Sequence, residues 1–157
     1  MNKTSLLSDT SRRSMFTAAG LGLAAIAITP STVDAAQWTA AEKANVQAVK
    51  DFCSAFPSHD INQVMAFFAE NGAYRMSEAQ EANKGRQSVT DRIGSYLNSV
   101  QRFEVLETFA SGPIVINQRR DHFMGGPLKM WHGVGVFFLR DGKIVEWNDY
   151  TISMERS

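Results

Sequence analysis

Apolar residues recur at helical spacing in three early segments of the chain, at 40–56, 60–71 and 86–100. Thr39 and Glu42 form the Thr-x-x-Glu pattern of a capping box before the first segment, and Pro57 is typical of a helix end. A brief strand at 73–76 and a polar loop at 77–84 separate the second segment from the third. The pattern therefore predicts three helices ahead of the rest of the domain.

After Arg102 the apolar period changes to the alternation that is typical of strands. Phe103, Val105 and Phe109 are expected to share one strand face. Turn signals interrupt the alternating region at three places, namely Gly112-Pro113, Gly125-Gly126-Pro127 and Asp141-Gly142. Three helices followed by successive antiparallel strands indicate an α+β domain. No repeat or low-complexity linker indicates a second domain.

Residues 1–36 have a different character. Arg12 and Arg13 precede an apolar stretch at 16–28, and small residues surround Ala35. A charged start, a short apolar middle and a small-residue exit are typical of a cleaved export signal, and the paired arginines indicate the twin-arginine route. The stretch is shorter than the roughly 20 apolar residues that span a bilayer, which disfavours a membrane anchor. We therefore predict a periplasmic protein with a cleaved signal at 1–36 and a single domain at 37–157.

The charge balance narrows the range of partners. The 157 residues include 16 basic and 16 acidic side chains. Without a basic surplus, neither nucleic acid nor stable membrane association after cleavage is expected. The single cysteine, Cys53, has no partner for an internal disulfide and falls on the apolar face of the first predicted helix. His59, His122 and His132 lack the convergent spacing of a metal site, so no metal is predicted.

Candidate chemistry is concentrated in Arg119, Asp121 and Asp149. Arg119 and Asp121 stand two residues apart in an alternating run, so their side chains share a strand face, and Asp149 shares a face with Trp147. Charged groups in a dry core are costly unless they pair, so we expect the three to meet. Two carboxyls bridged by one guanidinium do not both ionise cheaply, and one then holds a proton while the other stays anionic. A purely structural ion-pair network or a solvated face is the alternative.

These motifs resemble those of the limonene-1,2-epoxide hydrolases, and the likeness covers most of residues 39–155. It rests on Arg119-x-Asp121, Trp147-x-Asp149-Tyr150, Tyr74 and Gly85-Arg86-x-x-Val89. The resemblance implies the nuclear-transport-factor-like, or SnoaL-like, α+β fold. In that fold a curved, mostly antiparallel mixed sheet forms a cone-shaped barrel packed against three N-terminal helices. It also implies a homodimer through the outer face of the sheet, where Ile144, Tyr150 and Ile152 are expected.

The resemblance further implies a cofactor-free reaction. Asp149 would act as general base on a water, Asp121 would give a proton to the opening epoxide oxygen, Arg119 would orient both carboxyls, and Tyr74 would help to hold the water. The family has an amide two residues after this tyrosine, whereas this chain has Met76, whose thioether is a poor partner for water. This departure leaves a second reaction open, in which a cofactor-free lyase removes water and formaldehyde from a lignin-derived diaryl diol.

Four side chains are expected to bind a small apolar or aromatic substrate: Trp147, Phe123, Met76 and His132. An enzyme predicts a cavity of roughly a few hundred Å³ that ends at the carboxyl groups. A non-catalytic small-molecule binding module predicts instead that the charged groups are paired and closed off from solvent, with no cavity of roughly a few hundred Å³ beside them.

Overall fold

The computed structural model describes residues 38–157, so the export signal predicted for residues 1–36 lies outside the described residues. Its helices are α1 (Ala40–Ala55), α2 (Ile61–Met65) and α3 (Arg86–Leu97), with a 3-10 turn at Phe56–Ser58. Its strands are β1 (Phe68–Arg75), β2 (Asn83–Lys84), β3 (Val100–Ser111), β4 (Ile114–Phe123), β5 (Leu128–Arg140) and β6 (Lys143–Arg156). The predicted α+β class is confirmed. None of the helices within 38–157 is long and apolar enough to cross a membrane.

The six strands form one sheet in the order β2-β1-β6-β5-β4-β3. All neighbours are antiparallel except β1 and β6, which run parallel. The predicted mixed, mostly antiparallel sheet is therefore confirmed. It is open rather than a closed barrel, because β2 and β3 form its two edges and do not pair with each other.

Helix α1 covers the inner face of the sheet with an apolar stripe. Thr39 and Glu42 complete the predicted capping box at its start, with the Glu42 carboxylate accepting the Thr39 N–H at 2.8 Å. Phe52 is fully buried, with its ring centroid 5.1 Å from Trp147 and 5.9 Å from Phe137. The aromatic core of the domain thus lies directly beneath β5 and β6.

Two helix boundaries differ from prediction. The second helix was expected to run to Asn71, but it ends at Met65 and Phe68 already belongs to β1. Val100, expected on the third helix, begins β3. In both places an apolar residue is buried as part of the sheet instead, because Phe68 pairs with Ile144 and Val100 pairs with Phe123. Strand pairing therefore overrides a run of helically spaced apolar residues.

Two β-bulges reverse the expected strand faces. Val145 is an extra residue in the pairing of β5 with β6. The residue before it, Ile144, therefore faces the core and is 1% exposed. Ile144 was expected on the outer face, and that prediction is wrong. Leu106 is likewise an extra residue in the pairing of β3 with β4, so Phe109 leaves the face of Phe103 and is 48% exposed. A strict period of two fails at each inserted residue.

Tyr150 and Ile152 are solvent-exposed, at 41% and 57%. Ile152 is itself unpaired in the ladder between β5 and β6, where Thr151 opposes Gly133 and Ser153 opposes His132. The homodimer through this side of the sheet stays a prediction.

Candidate active site

Arg119 joins two aspartates at the centre of the sheet. Its Nε donates to Asp121 Oδ1 at 2.9 Å and its terminal nitrogen Nη2 donates to Asp149 Oδ1 at 2.8 Å. The other terminal nitrogen, Nη1, donates to Asn117 Oδ1 at 3.2 Å. Arg119 is fully buried, and Asp121 and Asp149 are 5% and 4% exposed. The expected meeting of these three charged side chains is observed.

Glycines on the strand between Arg119 and Asp149 make this meeting possible. Strand β5 separates β4 from β6, with Gly133 opposite Arg119 and Gly135 opposite both Asn117 and Asp149. A Cβ atom on Gly135 would lie 2.2 Å from Arg119 Nη1. The guanidinium thus crosses the intervening strand through space that any side chain at Gly135 would fill.

Aromatic rings surround the guanidinium group. Its central carbon lies 5.2 Å from the ring centroid of Phe103, 4.9 Å from that of Trp131 and 5.2 Å from that of Trp147. Such distances are favourable for cation–π attraction. Within residues 38–157 no buried side-chain nitrogen or oxygen lacks a hydrogen-bond partner. The position of Arg119 is therefore fixed by three polar partners and three ring systems at once.

The two carboxyl groups have different surroundings. Asp149 Oδ1 accepts from Arg119 and from Trp147 Nε1, the latter at 2.7 Å, while its Oδ2 accepts from the Tyr74 hydroxyl at 3.3 Å. Within the described part of the chain Asp121 accepts only from Arg119 Nε, at 2.9 and 3.2 Å. Because each donor favours the charged form of its acceptor, Asp149 is the better-stabilised anion and Asp121 the better holder of a proton.

Burial controls the titration of the pair. It raises the pKa of Asp121 to about 7, with Arg119 opposing the shift and Asp149 adding to it. Burial also raises the pKa of Asp149, against the hydrogen bonds from Arg119, Trp147 and Tyr74. Burial works to lower the pKa of Arg119, but the two carboxylates outweigh it and the net shift is upward. Because Arg119 and an ionised Asp149 balance each other, the buried group is electrically neutral when Asp121 holds a proton.

A cavity of about 40 Å³ lies against this group. It is lined by Tyr74, Met76, Tyr96, Asp121, Phe123, Leu128, Trp131 and Asp149. This volume holds a few water molecules, at roughly 10–15 Å³ each, and no drug-sized ligand. The expectation of a cavity of roughly a few hundred Å³ is therefore wrong for this structure, and the small cavity beside paired, nearly closed-off charged groups is what the non-catalytic alternative predicts. Aromatic and aliphatic side chains from α3, β4 and β5 line the space in front of the carboxyls.

The predicted substrate-binding residues divide into two groups. Met76 and Phe123 line the cavity. His132 does not, because it precedes Gly133 on β5 and faces the other side of the sheet, where its Nε2 lies 2.9 Å from Gln118 Nε2. Trp147 is fully buried and is not among the residues that line the cavity; its ring stacks on Tyr74 at 3.9 Å and its Nε1 donates to Asp149, so it holds the Asp149 carboxyl in place.

Sequence reasoning missed several residues of this site. Tyr96 falls on the apolar spacing of the segment 86–100, which gives no sign that its hydroxyl donates to the Tyr74 hydroxyl at 3.3 Å. Asn117 shares the strand face of Arg119 by parity, but the sequence does not indicate that it accepts from the guanidinium. Gly133 and Gly135 carried a usable signal, because two glycines with a spacing of two in a strand indicate close approach of a neighbouring group.

Cys53 lies near the site but is not equipped as a nucleophile. Asn117 Nδ2 donates to its Sγ at 3.5 Å, and burial raises the pKa of the thiol to about 12. Among residues 38–157 no group of three or more histidine, cysteine, aspartate or glutamate side chains has the geometry of a metal site.

The fold and this site together define a nuclear-transport-factor-like α+β domain with a buried Asp-Arg-Asp group at the end of a small cavity. The sequence profile of the SnoaL-like domain matches residues 49–147, and the chain belongs to this family.

Solved structures agree on the fold. An LEH-like epoxide hydrolase of M. tuberculosis is 24% identical, with a TM-score of 0.62, and the match covers 70% of this chain and 84% of that one. A putative SnoaL-like polyketide cyclase from Jannaschia sp. CCS1 is 17% identical with a TM-score of 0.62, covering 73% and 90%. Bal32a, from a soil-derived mobile gene cassette, is 21% identical with a TM-score of 0.62, covering 71% and 92%. At these identities the likeness concerns the fold alone.

Proposed function

We propose that this protein is a cofactor-independent enzyme of the epoxide hydrolase type that opens a small apolar epoxide with water. The observation that carries the proposal is the pair of buried carboxyl groups bridged by one guanidinium at the wall of a cavity. A proton donor and a proton acceptor held side by side are what ring opening requires, since oxygen must be protonated as carbon is attacked.

Asp149 is the base in this proposal. Its Oδ1 is occupied by Arg119 and Trp147, while Oδ2 lines the cavity beside the Tyr74 hydroxyl. A water in the cavity gives a proton to Asp149 as its oxygen bonds to a ring carbon. The ring C–O bond breaks at the same time, and its oxygen takes the proton of Asp121, which yields a vicinal diol.

Arg119 keeps the charge of the site constant during this step. Asp149 gains one proton and Asp121 loses one, so the net charge around the guanidinium does not change. In a buried site a step that creates no net charge avoids a large desolvation cost. Transfer of one proton back from Asp149 to Asp121 restores the starting state.

The cavity walls support an apolar substrate. Met76, Phe123, Leu128 and Trp131 contribute carbon and sulfur surface opposite the carboxyls. Since about 40 Å³ admits water and not an organic ring, these side chains must move outward when substrate binds. Phe123 and Leu128 border the connection between β4 and β5 and are only partly buried, so they are the residues we expect to move.

A cofactor-free lyase is the second candidate, favoured by the thioether of Met76 on a cavity wall next to Tyr74. With a diaryl propanediol, Asp121 would protonate the benzylic hydroxyl, which leaves as water. Asp149 would take the proton of the terminal hydroxyl, and the C–C bond would break to give formaldehyde and an alkene. No water attacks carbon in this reaction, so a wall without a second polar partner would serve it.

The test uses purified protein in H₂¹⁸O with small apolar epoxides and diaryl diols, and mass spectrometry of the products. We expect a diol with one ¹⁸O atom, lost in Asp149→Asn. Asp141→Asn is the matched control, because Asp141 is exposed in the hairpin turn at φ 52°, a conformation that asparagine also adopts. Formaldehyde with unlabelled alkene would establish the lyase instead. No product from any substrate would overturn both reactions and favour a binding module.

A further inference from the structure

Tyr96 is a partly buried phenol that has no role in the reaction proposed above. It lies on α3 and reaches the same cavity as Asp149. Its ring stacks on Phe56 with the centroids 6.4 Å apart and the planes within 11°. Its hydroxyl donates to the Tyr74 hydroxyl, which in turn donates to Asp149 Oδ2, each at 3.3 Å. A chain of two hydroxyls thus leads from α3 to the proposed base.

The direction of this chain leaves acceptor capacity in the cavity. A phenol carries one proton and can accept two hydrogen bonds. The Tyr96 hydroxyl donates its proton to the Tyr74 oxygen, so the Tyr96 oxygen can still accept hydrogen bonds. Burial raises the pKa of Tyr96 above its ordinary value, so the group stays a neutral phenol. Asp149 and Tyr96 both line this small cavity, and Asp149 Oδ2 and the Tyr96 oxygen can each accept a further hydrogen bond.

The size of the space selects the molecule that fits it. About 40 Å³ holds a few waters, and a buried water normally has two to four polar partners. Asp149, Tyr74 and Tyr96 supply three oxygens, whereas Met76 offers only a weakly accepting sulfur. Without Tyr96, a water next to Asp149 would have one carboxylate and one hydroxyl as its partners on this side.

We infer that Tyr96 is a positioning residue for the reacting water. The water donates one proton toward Asp149 Oδ2 and the other to the Tyr96 oxygen, and its free lone pair is then directed into the cavity. This inference rests on the proposed function, because a lyase has no attacking water. Loss of the Tyr96 hydroxyl leaves the water bound but less well oriented, which lowers kcat while KM changes little.

Tyr96→Phe removes the hydroxyl and keeps the ring that stacks on Phe56. We expect kcat for epoxide opening to fall about 10- to 100-fold with KM within about twofold. Tyr150→Phe is the matched control, since Tyr150 is 41% exposed and its hydroxyl bonds Arg75 away from the cavity. Adding Met76→Asn to Tyr96→Phe places an amide on the cavity wall, and we expect it to recover part of the lost kcat.

The possible outcomes separate this inference from the proposed function. An active wild type with Tyr96→Phe within about twofold in kcat would overturn the role of Tyr96 and leave epoxide hydrolysis standing. A wild type that opens no epoxide would overturn the proposed function itself. A high-resolution crystal structure of the wild type gives a test that needs no variant to fold: we expect a water within hydrogen-bond distance of Asp149 Oδ2 and the Tyr96 oxygen, and its absence would overturn the inference.

Discussion

Gly135→Ala tests whether the position of Arg119 requires the absence of a side chain at this point of β5. The added Cβ atom would lie 2.2 Å from Arg119 Nη1, 2.8 Å from Phe137 Cε2 and 3.0 Å from Asn117 Oδ1. Contacts below 3.0 Å require something to move. The guanidinium is the far end of a flexible side chain, but it is fully buried between three rings and three polar partners. It has no space into which it could withdraw.

The expected cost follows from two terms. Adding a methyl group to a closely packed core costs about 1–3 kcal/mol. Displacing the guanidinium from Asp149 separates a buried ion pair, and losing such a pairing costs roughly 3–5 kcal/mol when it is complete. Partial relaxation reduces both terms, so we expect the free energy of unfolding to fall by about 3–5 kcal/mol in total.

Urea denaturation at pH 7, followed by tryptophan fluorescence, measures this change. Gly94→Ala is the matched control, because a Cβ there meets no atom within 4 Å and Gly94 lies inside α3. Alanine in that position should stabilise the protein by about 0.5–1 kcal/mol. If the free energy of unfolding of Gly135→Ala lies within about 0.5 kcal/mol of the wild-type value, the claim that Arg119 requires a residue without a side chain at this position is refuted.

Three further predictions concern titration, capping and the thiol. Because Asp121 has a pKa of about 7 when folded and about 3.9 when unfolded, its contribution to stability is complete below pH 4 and is lost as the pH rises toward 7. Between pH 5 and pH 8 the wild-type free energy of unfolding should fall by about 2–3 kcal/mol, and Asp121→Asn should remove most of that fall; an equal fall in both proteins would contradict the prediction. Thr39→Ala breaks the capping box of α1 and should lower stability by about 0.5–2 kcal/mol, with Thr39→Ser close to wild type in the same thermal melt. Cys53, with its thiol pKa raised by burial to about 12, should react with a disulfide reagent at pH 8 only after unfolding, so rapid labelling of the folded protein would show that the site opens.

The fold was predictable where one local pattern dominated. The capping box at Thr39 and the turn at Asp141-Gly142 are short-range signals, and both elements occur where expected. The sequence patterns failed at β-bulges and at the end of α2. A bulge depends on the partner strand, as Val145 shows by its place opposite the step from Phe138 to Leu139. The alternating pattern of one strand does not show where pairing with its neighbour will leave an extra, unpaired residue.

The charged centre of the site was predictable for a different reason. Arg119 and Asp121 share a strand face by parity, and all three charged groups are too costly to bury separately, so their meeting with Asp149 was expected once the family resemblance placed the two strand faces together. The cavity walls had no comparable constraint. Tyr96 belongs to a helix whose approach to β1 is set by tertiary packing, and its apolar spacing concealed a hydroxyl that points at Tyr74. His132 was expected in the cavity from the proximity of its strand, and strand parity relative to Gly133 excludes it.

The surroundings of the charged group support the proposal that it is a reactive site rather than a structural network. Replacing a buried ion pair by apolar side chains of similar volume is often neutral or stabilising by roughly 1–4 kcal/mol, so an Asp-Arg-Asp group is a weak way to fill an aromatic core. Among residues 38–157 Asp121 accepts from one donor, Arg119, and Asp121, Asp149, Tyr74 and Tyr96 all line the same water-sized cavity. The remaining acceptor capacity of four side chains thus converges on one space, which is the arrangement that a reaction between water and a bound substrate needs.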